Sequence, residues 1–169
     1  LKLDLNNNVQ IMNINELYIK TIFCCMACDG DIAKEEVELI KNITSKQAEF
    51  DGIIIESTVN EYVALINANG SLFLKKYLQE LESQKLSDEE QFVIVDYALQ
   101  TIFADNKIEY SEVKFFKKIR NKLSLTNEQI LAVHPDIEDF LLPDINVAED
   151  PVWDNIMFEN INFADYEQK

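Results

Sequence analysis

One stretch of this chain occurs twice. Displaced by 76 positions, Asp29-Gly30-Asp31-Ile32-Ala33-Lys34-Glu35-Glu36-Val37 falls on Asp105-Asn106-Lys107-Ile108-Glu109-Tyr110-Ser111-Glu112-Val113, with Asp, Ile, Glu and Val at the same offsets. Further on, Lys41 and Ile43 fall on Lys117 and Ile119. Apolar residues precede both copies in kind, Ile22-Phe23 over Ala98-Leu99 and Met26-Ala27 over Ile102-Phe103. The second motif position is Gly30 in one copy and Asn106 in the other. These are the residue types that best tolerate the left-handed backbone ending a helix. Each copy therefore reads as a helix, a tight left-handed turn and another helix. A chain built this way is expected to be all-α, in two similar halves.

Punctuation agrees with that reading. The 169 residues hold only three glycines and three prolines, too few for the turns of a sandwich or barrel. Asn13-Ile14-Asn15-Glu16 resembles a capping box and opens apolar positions Ile14, Leu17, Tyr18, Ile22, Cys25 and Met26, spaced as one helical face. Ser87-Asp88-Glu89-Glu90 opens a second run with Phe92, Val95, Leu99, Ile102 and Phe103. Thr126-Asn127-Glu128-Gln129 starts a short helix near Ile130. Residues 56–68 and 71–84 read as helices divided by Asn69-Gly70. Ile53-Ile54-Ile55 is an ambiguous apolar run.

All three prolines, Pro135, Pro143 and Pro151, lie in residues 135–169, which also carry ten Asp or Glu against a single Lys169. That spacing forbids a long regular helix. Trp153, Phe158 and their apolar neighbours are too many for a solvated tail. Two regions are expected: a helical domain over 1–134, and an irregular acidic extension over 135–169. The extension packs in pieces on the domain or binds a partner, Trp153 and Phe158 being the candidate contacts.

Charge narrows the function. Against 15 Lys and Arg stand 31 Asp and Glu, a formal charge of -16. Nucleic acid and anionic membrane surfaces are poor partners for such a chain, whereas divalent cations and basic proteins are natural ones. No apolar run reaches the roughly 18–20 residues of a membrane span. Leu1-Lys2-Leu3-Asp4-Leu5 lacks the zones of a signal peptide. Cys24, Cys25 and Cys28 form an odd, crowded set that fits a reducing cytosol and core packing. No second Cys or His pair completes a zinc site. His134, the only histidine, sits before Pro135, where contact with the last helix carbonyls is expected. Lys114, Lys117, Lys118, Arg120 and Lys122 read as a solvated face or a dock for the acidic tail.

Asp-Gly/Asn-x-Ile-x-x-x-Glu matches an EF-hand loop from its fifth position to its twelfth. Its first half is missing, since Cys25, Ala27, Thr101 and Phe103 stand where carboxylates belong. One copy offers two or three side-chain oxygens, and calcium takes six to eight. Either the copies pool their acids, or water completes the shell, or no metal binds tightly. Helix capping explains Glu36 and Glu112 without a ligand, since a carboxylate at the third helical residue satisfies free N–H groups. Asp51-Gly52, with Thr58 in place of the Glu, is read as a structural turn.

These two turns, their separation and the Leu86-Ser87-Asp88-Glu89-Glu90 helix start resemble the TerB family of tellurite-resistance proteins over about residues 12–134. The resemblance implies a compact bundle of about seven helices in two similar halves. It also implies a divalent-cation site at the acidic turns, with calcium the expected ion. By position its ligands are Asp29, Asp31 and Glu36 in the first half and Asp105 and Glu112 in the second. Lys107 stands where the first copy has Asp31 and weakens the second half as a cation site. The implied role is non-enzymatic and cytoplasmic: a stress or tellurite-resistance module acting through other proteins of its complex. The alternative is a metal-free, co-chaperone-like adaptor that works through the extension. Tellurite is an anion, so a chain of this charge is a poor direct receptor for it.

Overall fold

The computed structural model describes residues 13–143 and 156–166. Among these residues every regular element is a helix. The α-helices are α1 (Ile14–Ala27), α2 (Lys34–Lys46), α3 (Ile55–Asn69), α4 (Leu72–Ser83), α5 (Asp88–Ile102), α6 (Tyr110–Asn121), α7 (Asn127–Val133) and α8 (Glu138–Leu141). Short 3-10 turns occupy Ala48–Phe50 and Phe163–Tyr166. The all-α expectation holds.

α1 is the axle of the bundle. It packs on α2, α3, α4, α5 and α6, most extensively on α5. Every residue from Leu17 to Ala27 is buried, so the helix is covered on all sides. The single-face reading of this segment is too narrow, because Ile19, Lys20, Thr21, Phe23, Cys24 and Ala27 are buried as well. Its two polar members are accommodated individually. Thr21 Oγ1 lies 2.8 Å from the Leu17 carbonyl and 2.6 Å from the Tyr77 hydroxyl. Lys20 Nζ pairs with Glu80 Oε2 at 2.7 Å, 5.1 Å from the Phe73 ring centroid.

Helix starts follow the capping chemistry in the sequence. The Ser87–Glu90 and Thr126–Gln129 boxes are both reciprocal. Asn13 delivers half of the expected box: its Oδ1 accepts from the Asn15 N–H at 3.0 Å. Ile53 and Ile54 precede α3 and Ile55 begins it, which settles the ambiguous apolar run.

The described parts of the extension lie on the bundle. Ile137 is buried, and α8 packs on α6, where Phe140 meets Phe103 and Phe116. Residues 156–166 run across α3 and α2, with Ile161 buried and Phe158 and Phe163 half-buried against the core. Trp153 lies outside the described residues.

Candidate functional site

The two motif copies form matching corners. The first joins α1 to α2, the second α5 to α6. Gly30 has φ +88° and Asn106 φ +58°, the only non-glycine residue with positive φ among those described. Both left-handed turns read from the sequence are therefore present. Asp29 Oδ1 accepts from the Asp31 N–H, and Asp105 Oδ1 from the Lys107 N–H, each at 3.0 Å. Each motif Asp thus fastens its own turn. Glu36 Oε2 accepts from the Ala33 N–H at 2.8 Å, and Glu112 Oε2 from the Glu109 N–H at 3.0 Å. The two glutamates cap their helices in the same way. The copies differ at the Ile position: Ile32 packs against the core, whereas Ile108 is 48% exposed.

Tertiary packing brings the corners together. Cys28 Sγ, at the end of the first corner's helix, lies 3.9 Å from the Ser111 carbonyl of the second. Glu36 and Glu112 are 2% and 3% exposed, unusual for carboxylates. Burial pushes Glu36 up to about 9, and the negative charges of Asp29, Glu112 and Asp105 add to the rise. Burial likewise raises Glu112 to about 7, reinforced by Asp29, Asp105 and Glu109. Four motif acids from two copies 76 residues apart therefore share one electrostatic field. Asp31 is exposed at the rim. Lys107 turns outward and binds Glu109 Oε1 at 3.1 Å, so its charge is spent on the second copy's own acid.

As arranged, the acids are not a ready chelate. Among the described residues no three His, Cys, Asp or Glu side chains stand close enough to hold an ion together. No buried side-chain oxygen or nitrogen there lacks a hydrogen-bond partner. Donor chemistry is nonetheless of one kind, hard carboxylate oxygen suited to calcium or magnesium. The three cysteines are buried and unbridged. Burial raises the thiols of Cys25 and Cys28, and the neighbouring Glu36 and Glu112 raise them further, which holds both as neutral packing groups.

Sequence reading missed a second feature. A cleft of about 730 Å³ is lined by residues of α5 and by residues 133–137, with Leu39 from α2. His134 Nε2 stands 3.8 Å from Asp96 Oδ1 in this cleft, while Gln100 donates to Asp96 Oδ2 at 2.7 Å. His134 thus faces a side chain, and its backbone N–H makes the helix-end contact with the Ile130 carbonyl. Among the described residues that line the cleft there is no Ser, Thr or Cys. Nothing in the sequence marked Asp96, which is one acid among many on a helix face. In the basic cluster, Lys122 pairs with Glu82, and Arg120 Nε and Nη2 reach Asn127 Oδ1. In the described tail, the Phe163 carbonyl accepts from Lys41 at 3.2 Å.

No helix among the described residues is long and apolar enough to cross a membrane. The resemblance to TerB proteins rests on the two corners and their separation. Comparison with protein-family models, curated proteins and solved structures finds no match to this chain.

Proposed function

We propose that the paired corners are a divalent-cation site, with calcium the natural ion, in a non-enzymatic cytoplasmic module that works through protein contacts in a stress or tellurite-resistance type of system. The observation carrying this reading is that Asp29 and Asp105, one from each corner, both act on the buried Glu36 and Glu112 and add to the rise in their proton affinity. Mutually repelling acids brought together by folding are relieved by a proton or by a cation. Asp29 and Asp31 are both exposed, and an ion would reach the pair through them. A bound ion would supply the positive charge that offsets these acids. The chain's part is to hold the carboxylates at fixed helix starts. Water and the glutamate oxygens outside the caps would complete its shell.

A metal-free reading has one observation in its favour: both buried glutamates already satisfy backbone N–H groups. In that case the acids are caps, and the domain is an adaptor. Calorimetric titration of the EDTA-stripped protein with calcium, alongside thermal unfolding, separates the two. At about 100 times its dissociation constant an ion stabilises a one-site fold by about 2.7 kcal/mol. Saturable heat and a melting shift, both abolished in Glu36→Gln/Glu112→Gln, are the expected result. Flat heat with calcium, magnesium, manganese and zinc assigns the acids to capping.

A further inference from the structure

One outer stripe of α3 carries Glu56, Asn60 and Asn67, spaced four and seven residues apart and therefore close in angle around the helix. All three side chains are spent on the backbone of residues 156–166. Asn67 Oδ1 accepts from the Phe158 N–H at 2.7 Å, and its Nδ2 donates to the Phe158 carbonyl at 2.9 Å. Asn60 does the same to Ile161, at 2.7 and 2.8 Å. Glu56 Oε2 accepts from the Phe163 N–H at 2.9 Å, while Lys41 of α2 donates to the Phe163 carbonyl at 3.2 Å. Each asparagine amide closes both main-chain groups of one residue, as a neighbouring strand would.

The register follows from two pitches. Seven helical residues advance about 10.5 Å. The three-residue step from Phe158 to Ile161 covers about 10 Å when extended. From Asn60 to Glu56 the helix retreats about 6 Å, and the two residues from Ile161 to Phe163 cover about 6.7 Å. The segment thus runs antiparallel to α3 with matched spacing. Side-chain selection is left mainly to Ile161, which is 5% exposed, flanked by half-buried Phe158 and Phe163.

We propose that the α2–α3 face is a peptide-binding groove that reads an extended main chain, and that it takes residues 156–166 of a second copy of this chain in exchange for its own. A second copy is the occupant whose fit is already displayed, because it brings the same Phe158, Ile161 and Phe163 with every contact above. Exchange of an identical segment creates no new interface chemistry, which makes it a low-cost route to a dimer. The tethered segment acts at an effective concentration of order millimolar, so the chain's own tail wins in dilute solution. Two copies of charge -16 also repel, so exchange is favoured by added salt.

Two full-length variants test this by complementation. Asn60→Asp/Asn67→Asp removes the amide donors and sets charge against the tail carbonyls while leaving the tail intact. Ile161→Asp disables the tail and leaves the groove intact. Each alone is expected to remain at the chain mass of 19.6 kDa by light scattering, with native helicity. Their equimolar mixture is expected to form a species of twice that mass. A mixture that stays monomeric up to millimolar concentration overturns the proposal. Should the aspartate at 161 impair folding, Phe158→Ala/Phe163→Ala replaces it as the tail variant. A labelled peptide of residues 156–166 supplies a separate readout by anisotropy, and is expected to bind the tail variant and not the asparagine variant. Absence of peptide binding overturns the groove. Peptide binding without a mixed dimer overturns the second copy as occupant.

Discussion

A carboxyl that titrates at about 9 carries its proton at neutral pH, and Glu36 is such a group. The proton relieves repulsion from Asp29, Asp105 and Glu112, while Oε2 keeps its bond to the Ala33 N–H. Because folding raises both glutamates, the native state binds more protons than the unfolded chain above the ordinary carboxylate range. Their contribution is fully present below about 4.5, and is lost as pH rises through about 7 for Glu112 and about 9 for Glu36. The melting temperature of the wild type is therefore expected to fall from pH 5 to pH 9.5. In Glu36→Gln/Glu112→Gln that slope flattens, since glutamine keeps the accepting oxygen without the charge. Thermal unfolding by circular dichroism across this range checks it, and parallel slopes would show that the two glutamates do not carry the dependence.

At the scale of elements, the corners show what a repeated motif specifies and what it leaves open. A turn at positive φ and a capping glutamate are local requirements, so the sequence displays them in both copies. What each corner touches is not local. Gly30 lies under Ile156, whose Cδ1 is 2.7 Å from the position a Cβ would take, whereas Gly52, at a similar φ of +86°, has nothing within 4 Å. Alanine at either site meets backbone strain of about 1–2 kcal/mol. Gly30→Ala carries an added cost, because the Ile156 side chain must also move aside. Gly30→Ala is expected to lower the melting temperature more than Gly52→Ala, at roughly 2–4 °C per kcal/mol for a chain of this size. Equal losses would mean that the Ile156 side chain yields freely at this corner.

The same distinction explains what was missed in α3. Asn60 and Asn67 are ordinary polar residues on an outer helix face, and their partners lie 101 and 91 residues away. A signal existed in the pair: two asparagines seven apart on a helix, and Phe158, Ile161 and Phe163 spaced at three and two in the extension. Neither half is informative until the other is placed beside it. Likewise α1 reads as one apolar face through Leu17, Tyr18, Ile22, Cys25 and Met26, while packing from five neighbouring helices also covers Ile19, Lys20, Thr21, Phe23, Cys24 and Ala27.

For the molecule as a whole, an excess of 16 negative charges opposes compaction and association alike. Raising sodium chloride from about 10 mM to about 1 M shortens the screening length from about 30 Å to about 3 Å. The wild-type melting temperature is expected to rise across that series. Glu36→Gln/Glu112→Gln should keep most of the rise, because the surface excess is spread over the chain. Loss of the salt response in that variant would locate the repulsion at the corners instead.

The sequence by itself determined the helical class, the two left-handed corners, the capped starts of α5 and α7, and the division of α3 from α4. Each of these is decided by residues within a few positions of one another, through backbone conformation and local hydrogen bonds. Tertiary structure decided that the two corners face each other, that Glu36 and Glu112 are buried in a shared field, and that the tail lies antiparallel along α3. Those outcomes depend on which surfaces exclude water together. That choice is made by the packing of α1 among its neighbours and is written in no short stretch of the chain.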